Sequence, residues 1–188
     1  MIISLIGFMG CGKSSVGRRL SELLCCPFMD LDDVIEQQTG RSIPEIFATD
    51  GETGFRQMEW NALTTLVCES PSEFGKLSAP VSQTSNHNLI LSLGGGTVMT
   101  PECSELVQER TECIYLRTSV DTLVGRLANE AAGRPLLAGT DLRNRIDSLM
   151  SNRASIYERT AHHIIDTDGL SIDEVAQSLL ESVLNGRF

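Results

Sequence analysis

The chain alternates short apolar runs with stretches in which apolar positions recur every three or four residues. Ile2-Ile3-Ser4-Leu5-Ile6, Leu89 to Leu93, Cys113 to Leu116 and His163 to Asp166 have strand length, and each precedes a helical pattern. Runs of this kind suit strands covered on both faces, so the alternation predicts a parallel sheet flanked by helices. Pro27-Phe28-Met29-Asp30 adds a further short strand after a first helix marked by Val16, Leu20, Leu23 and Leu24. Ser42-Ile43-Pro44-Glu45 has the form of a capping box with proline in the first turn, so a helix is predicted to start there and to end at Gly51. Phe55, Met58, Ala62, Leu63, Leu66 and Val67 mark a longer helix, and Ile172, Val175, Leu179, Leu180 and Val183 a terminal one.

Two segments break the alternation. Ser70 to Asn88 is rich in Ser, Pro, Asn and Gln and reads as a surface loop. Asn129 to Thr140, which contains Gly133-Arg134-Pro135-Leu136-Leu137, reads either as a lid or as a plain exposed connection. His162 and His163 are adjacent on a strand, point to opposite faces and cannot form a paired metal site.

Composition narrows the class. With 188 residues, 41% of them hydrophobic, the chain can enclose one sizeable core, and a single domain over 1–188 is expected. A formal net charge of −10 argues against nonspecific binding to nucleic acid or to anionic membranes. The chain opens on a strand with no basic leader and has no apolar run long enough to cross a bilayer, so a cytoplasmic protein is expected. The six cysteines show neither Cys-x-x-Cys spacing nor a zinc pattern and are expected as reduced thiols. Because only 15 residues are Lys or Arg, an arginine on an apolar helix face becomes a candidate ligand.

Gly7-Phe8-Met9-Gly10-Cys11-Gly12-Lys13-Ser14 fills every fixed position of the phosphate-loop pattern and stands between a predicted strand and a predicted helix. Glycines let the backbone wrap a phosphate, and the helix N-terminus adds partial positive charge. Lys13 would reach the β- and γ-phosphates, and Ser14 would offer its hydroxyl to Mg2+. Asp30 and Asp32 follow the second strand, where ligands of open parallel sheets bind, and strand alternation would turn them to one side. Asp30 would hold a magnesium water and Asp32 would accept a proton from a substrate hydroxyl; Asp33 reads as a helix cap. Gly94-Gly95-Gly96 permits either close backbone approach to a ligand or a flexible turn. Arg56 and Arg153 lie on core-facing helix patterns and suit bidentate recognition of a carboxylate, although such residues also form structural ion pairs. Cys11 is either an oxidation site or a small space-filler.

In this order the phosphate loop, Asp30-x-Asp32, Gly54-Phe55-Arg56, the triple glycine, Arg134-Pro135-Leu136-Leu137 and Arg153-x-x-x-Tyr157 resemble the shikimate kinases over nearly the whole chain. The resemblance implies a three-layer α/β/α fold of nucleoside-monophosphate-kinase type, with a five-stranded parallel sheet and a mobile lid. It implies transfer of the ATP γ-phosphate to the 3-hydroxyl of shikimate, a step of aromatic amino-acid synthesis, by a cytoplasmic monomer that uses Mg2+. By position, Gly10, Cys11, Gly12, Lys13, Ser14 and Ser15 would wrap the nucleotide phosphates, with Ser14 on the metal directly and Asp30 through water. Asp32, Arg56, Gly95 and Arg153 would hold shikimate, within a substrate-binding region at about 31–60 for the first two. Arg134 would enter from a lid at about 129–140, and Arg126 would stack on adenine. The resemblance leaves the adenine contacts near Asp166 to Gly169 unassigned.

Three departures stand out: Ser15 replaces the family's usual threonine, Cys11 a common alanine, and Ser70 to Asn88 is a longer connection. Gluconate kinase shares the loop and the size but not this combination of motifs. A GTP-driven switch would carry Asn-Lys-x-Asp, which the chain lacks. A catalytically dead regulator would have lost reactive positions that are all filled here.

Overall fold

The three-layer architecture follows from strand alternation. The computed structural model describes residues 1–68, 88–128 and 141–182. Among them, β1 (Ile2–Ile6), β2 (Phe28–Asp30), β3 (Leu89–Ser92), β4 (Glu112–Arg117) and β5 (His163–Asp166) form one sheet in the order β2-β3-β1-β4-β5. Every pairing is parallel. On one face Ile3, Leu5, Ile114 and Leu116 meet Val16 and Leu20 of α1 (Lys13–Leu24), Leu123 of α5 (Val120–Leu127) and Leu179 of α7 (Ile172–Ser182). On the other, Ile6, Leu91, Cys113 and Tyr115 meet residues of α2 (Leu31–Thr39), α3 (Ile43–Cys68), α4 (Pro101–Arg110) and α6 (Leu142–Thr160). Leu20 is fully buried between α1 and the sheet, so Leu20→Ala should cost about 3 kcal/mol of stability.

Local signals place the helices. Ser42 and Glu45 make one half of the expected box, the Glu45 side chain reaching back to the Ser42 N–H at 2.8 Å, while the Ser42 Oγ–H donates to the same carboxylate oxygen at 2.7 Å. Gly51 interrupts α3 at φ 70°, a left-handed value that glycine adopts without strain. The second strand ends at Asp30 as expected, but strand alternation does not orient Asp32, which lies in the first turn of α2. Asp33 is not the cap either; Asp30 is, accepting the Asp32 N–H at 3.1 Å. Of the two segments that break the alternation, all of 129–140 and all of 70–88 but its last residue lie outside the described residues. No helix among the described residues is long and apolar enough to cross a membrane.

Candidate active site

Crossing from β3 on one side of β1 to β4 on the other opens a crevice at the carboxyl ends of the strands, where parallel sheets bind ligands. The crevice holds a cleft of about 780 Å³ lined by the phosphate loop, Asp30, Asp32, Ser92, Gly94, Gly95, Arg126 and the segment from Thr167 to Ile172. Gly12, the residue before α1, sits at φ 101°, so a side chain there would strain the backbone that turns the loop's amides inward. Lys13 is buried under the loop, its Nζ donating to the carbonyls of Gly7 and Phe8 at 2.9 and 3.0 Å. Ser14 Oγ–H donates to Asp30 Oδ2 at 2.6 Å and lies 3.5 Å from Ser92 Oγ. A hydroxyl paired with a carboxylate beside a phosphate loop is the hard oxygen donor set that Mg2+ takes, so these residues fit that ion.

The wall of the cleft next to the loop is assembled around Gly94-Gly95-Gly96. A Cβ on Gly94 would stand 2.9 Å from Glu59 Oε1 and 3.0 Å from both Asp32 Oδ1 and Thr97 Oγ1, so glycine is what lets these polar groups converge. Asp32 Oδ1 is buried without a hydrogen-bond partner. Burial, and then the negative charges of Asp30 and Glu59, push the Asp32 carboxyl up to about 7, with Lys13 pulling the other way. Glu59 is 1% exposed and is held by Thr97 Oγ–H at 2.6 Å and by the Arg56 guanidinium. Arg56 also reaches Glu52 at 3.3 Å and lies against Gly96. Arg153, 9% exposed, donates to the Gly95 carbonyl at 3.2 Å, next to the Tyr157 hydroxyl at 2.5 Å on the same oxygen.

The expected residues are thus brought together, with differences in detail. Asp30, Asp32, Gly95 and the loop residues line the cleft; Arg56 and Arg153 stand immediately behind Gly96 and Gly95 instead of in its wall. Arg126 lines it too, its Nη1 donating to the carbonyls of Cys11 at 3.1 Å and Gly10 at 3.4 Å. Arg134 lies outside the described residues. Cys11 is 2% exposed and packs inside the loop, as a space-filler would. The histidines serve the strands: His162 Nδ1 accepts the Cys113 N–H at 3.0 Å, and His163 pairs with Glu112 at 2.7 Å.

Sequence reasoning missed Glu59, whose charge on a helix reads as a solvated position. The one available signal was its placement three residues after Arg56, where the two side chains meet on one helix face. It also missed Leu170 and Ile172, which line the cleft beyond β5 while 40% and 48% exposed.

A 2-3-1-4-5 parallel sheet with a phosphate loop after its central strand and a buried carboxylate beside that loop defines a P-loop kinase of the nucleoside-monophosphate-kinase type. The fold alone is shared at a distance: a deoxyadenosine kinase from M. mycoides aligns over 98% of this chain and all of its own, with a TM-score of 0.58 at 15% identity. The family model of shikimate kinase matches residues 9–72 and 77–184, and the chain belongs to that family. A shikimate kinase of Thermus thermophilus is 40% identical over 96% of this chain and 89% of its own. One from Zymomonas mobilis is 39% identical over 86% and 82%. The structure of the Acinetobacter baumannii shikimate kinase in complex with shikimate aligns over 97% of this chain and 92% of its own, with a TM-score of 0.81 and 33% identity.

Proposed function

We propose that this chain transfers the γ-phosphate of ATP to the 3-hydroxyl of shikimate, giving shikimate 3-phosphate and ADP, with Asp32 taking the hydroxyl proton. The bond from the acceptor oxygen to γ-phosphorus forms as the bridge from γ-phosphorus to the ADP oxygen breaks. The observation that carries this reading is the buried Asp32 oxygen that has no hydrogen-bond partner, set between Lys13's loop and Gly94. An acceptor hydroxyl would donate there, within reach of the phosphoryl group that Lys13 neutralises.

Gly10 to Ser15 would hold the phosphates through their amides, and Arg126 would face the adenine. Arg56 and Arg153, kept in place by Glu59 and the Gly95 carbonyl, would present guanidinium edges to the shikimate carboxylate. Ser14 and Asp30 would hold Mg2+, which when bound supplies charge neutralisation of the phosphates. Arg134 carries over from the family resemblance as a cation against the transferring group. The chain is read as a cytoplasmic monomer that binds small molecules, and a net charge of −10 argues against nucleic acid and anionic membranes as partners.

Coupled ADP release with shikimate, quinate and gluconate at equal concentration tests the reading. Shikimate alone should support fast turnover; gluconate turned over as fast would overturn it. Arg134→Ala should lower kcat strongly with little change in shikimate affinity, and an unchanged kcat would remove that role.

A further inference from the structure

β4 and β5 stay in step after their ladder ends. The last ladder pair, Arg117 with Asp166, is reinforced by a two-pronged ion pair at 2.6 and 2.8 Å. One residue further the buried hydroxyls of Thr118 and Thr167 meet at 2.6 Å. One further still, the Ser119 N–H reaches both oxygens of Asp168 at 3.2 Å. The first rung is exposed and worth little to stability. The third differs, because Ser119 is the N-cap of α5, its hydroxyl accepting the Thr122 N–H at 3.3 Å. Asp168 therefore satisfies the cap residue's own amide from outside the helix, a reciprocal cap supplied by another segment. Burial works against its charge, yet hydrogen bonds from Ser119 and Thr122 and the charge of Arg126 hold the Asp168 carboxyl below the usual carboxylate range.

Both segments tied by this rung flank the cleft. Thr167, Leu170, Ser171 and Ile172 line it from the β5 side, and α5 carries Arg126 over the Gly10 and Cys11 carbonyls. Nothing else in the transfer reaction uses Asp168. We propose that Asp168 is a positioning residue for the nucleotide: by capping Ser119 from the segment after β5 it locks α5, and with it Arg126, to the opposite wall of the base site. This deepens the reading above and rests on its assignment of Arg126 to the adenine side.

Steady-state ADP release on the full chain tests it. Asp168→Ala should raise the KM for ATP about five- to tenfold, while kcat and the shikimate KM stay within about twofold. Asp168→Asn keeps an acceptor for the Ser119 N–H and should return the ATP KM to within about twofold of the parent. Arg126→Ala should raise the ATP KM at least as much, and the double variant should be no worse than Arg126→Ala alone, because one residue acts through the other. An ATP KM that rises in Arg126→Ala but not in Asp168→Ala overturns the inference and spares the reading of the site. An ATP KM unmoved by Arg126→Ala overturns both. Additive effects, or a rise shared equally by the shikimate KM, mean that Asp168 acts otherwise and also overturn it.

Discussion

The two halves of the cleft are built on different principles. The phosphate half is local: Gly7 to Ser14 are contiguous, and in the proposed reading their backbone amides, a helix N-terminus and one lysine would do the binding. The acceptor half is collected from α2, α3, the end of β3 and α6, and it relies on charged side chains removed from water. Backbone dipoles are already oriented by the fold and carry no net charge, so the phosphate half depends on the loop's shape, which Gly7, Gly10 and Gly12 set at φ 144°, 79° and 101°, more than on mutual support between charged side chains. Buried carboxylates and guanidinia hold one another in place, so loss of any one leaves a partner uncompensated. The substrate side should therefore be the brittle side.

The largest effect tests that contrast at its centre. Asp32→Asn should lower kcat about 10³-fold with the shikimate KM changed little, since an amide cannot take the proton. In protein free of nucleotide and metal the same change should be stabilising above neutral pH. A carboxyl raised to about 7 in the fold binds protons that the unfolded chain has already released, so its stability contribution is lost as the pH rises through that value. Removing the charge removes the loss, by about 1–2 kcal/mol at pH 8. Parallel measurements of turnover and denaturant midpoints would read both signs; an Asp32→Asn protein less stable than the parent at pH 8 would contradict the clustering of like charge.

Next in size is Glu59→Ala, which leaves Arg56 without its buried partner and Thr97 Oγ without its acceptor. The shikimate KM should rise ten- to thirtyfold and stability fall by about 3 kcal/mol, while the ATP KM stays within about twofold. Equal changes in both KM values would show that the halves are not separable. Gly94→Ala should follow, with about a tenfold loss in kcat/KM for shikimate, because the added methyl meets Asp32, Glu59 and Thr97 together at 2.9 to 3.0 Å.

The same contrast explains what the sequence disclosed. The phosphate half was legible because its chemistry needs adjacent residues, and the strands because apolar runs bounded by turn residues have few alternatives. Ser42 and Glu45 pair at the helix start as read, since that contact too is local. Glu59 carried only the spacing to Arg56 as a signal: its other partner, Thr97, lies 38 residues away, which no helical periodicity encodes. Asp32 lies in the cleft, but not for the reason expected. Expected strand alternation gave way to a helix that Asp30 starts by capping, and the first helical turn delivers Asp32 to the cleft. The lattice of rungs past β4 and β5 likewise joins residues 49 apart and has no sequence signature.

The smallest expected effect separates Asp33 from its acidic neighbours. As a cap it would matter to α2 by about 1 kcal/mol; as found, it lies in the first turn, half exposed, with only Arg18 at 3.6 Å. Three terms then nearly cancel on Asp33→Ala. A negative charge near a helix N-terminus is lost, which costs a few tenths of a kcal/mol, and the exposed ion pair contributes about as little. Against these, partial burial and the nearby Asp30 push the Asp33 carboxyl up, so removing the charge relieves repulsion. Stability should change by less than about 0.5 kcal/mol and both KM values should stay within about twofold. A loss above about 1 kcal/mol would restore Asp33 as the residue that starts the helix and leave Asp30 free for the metal alone.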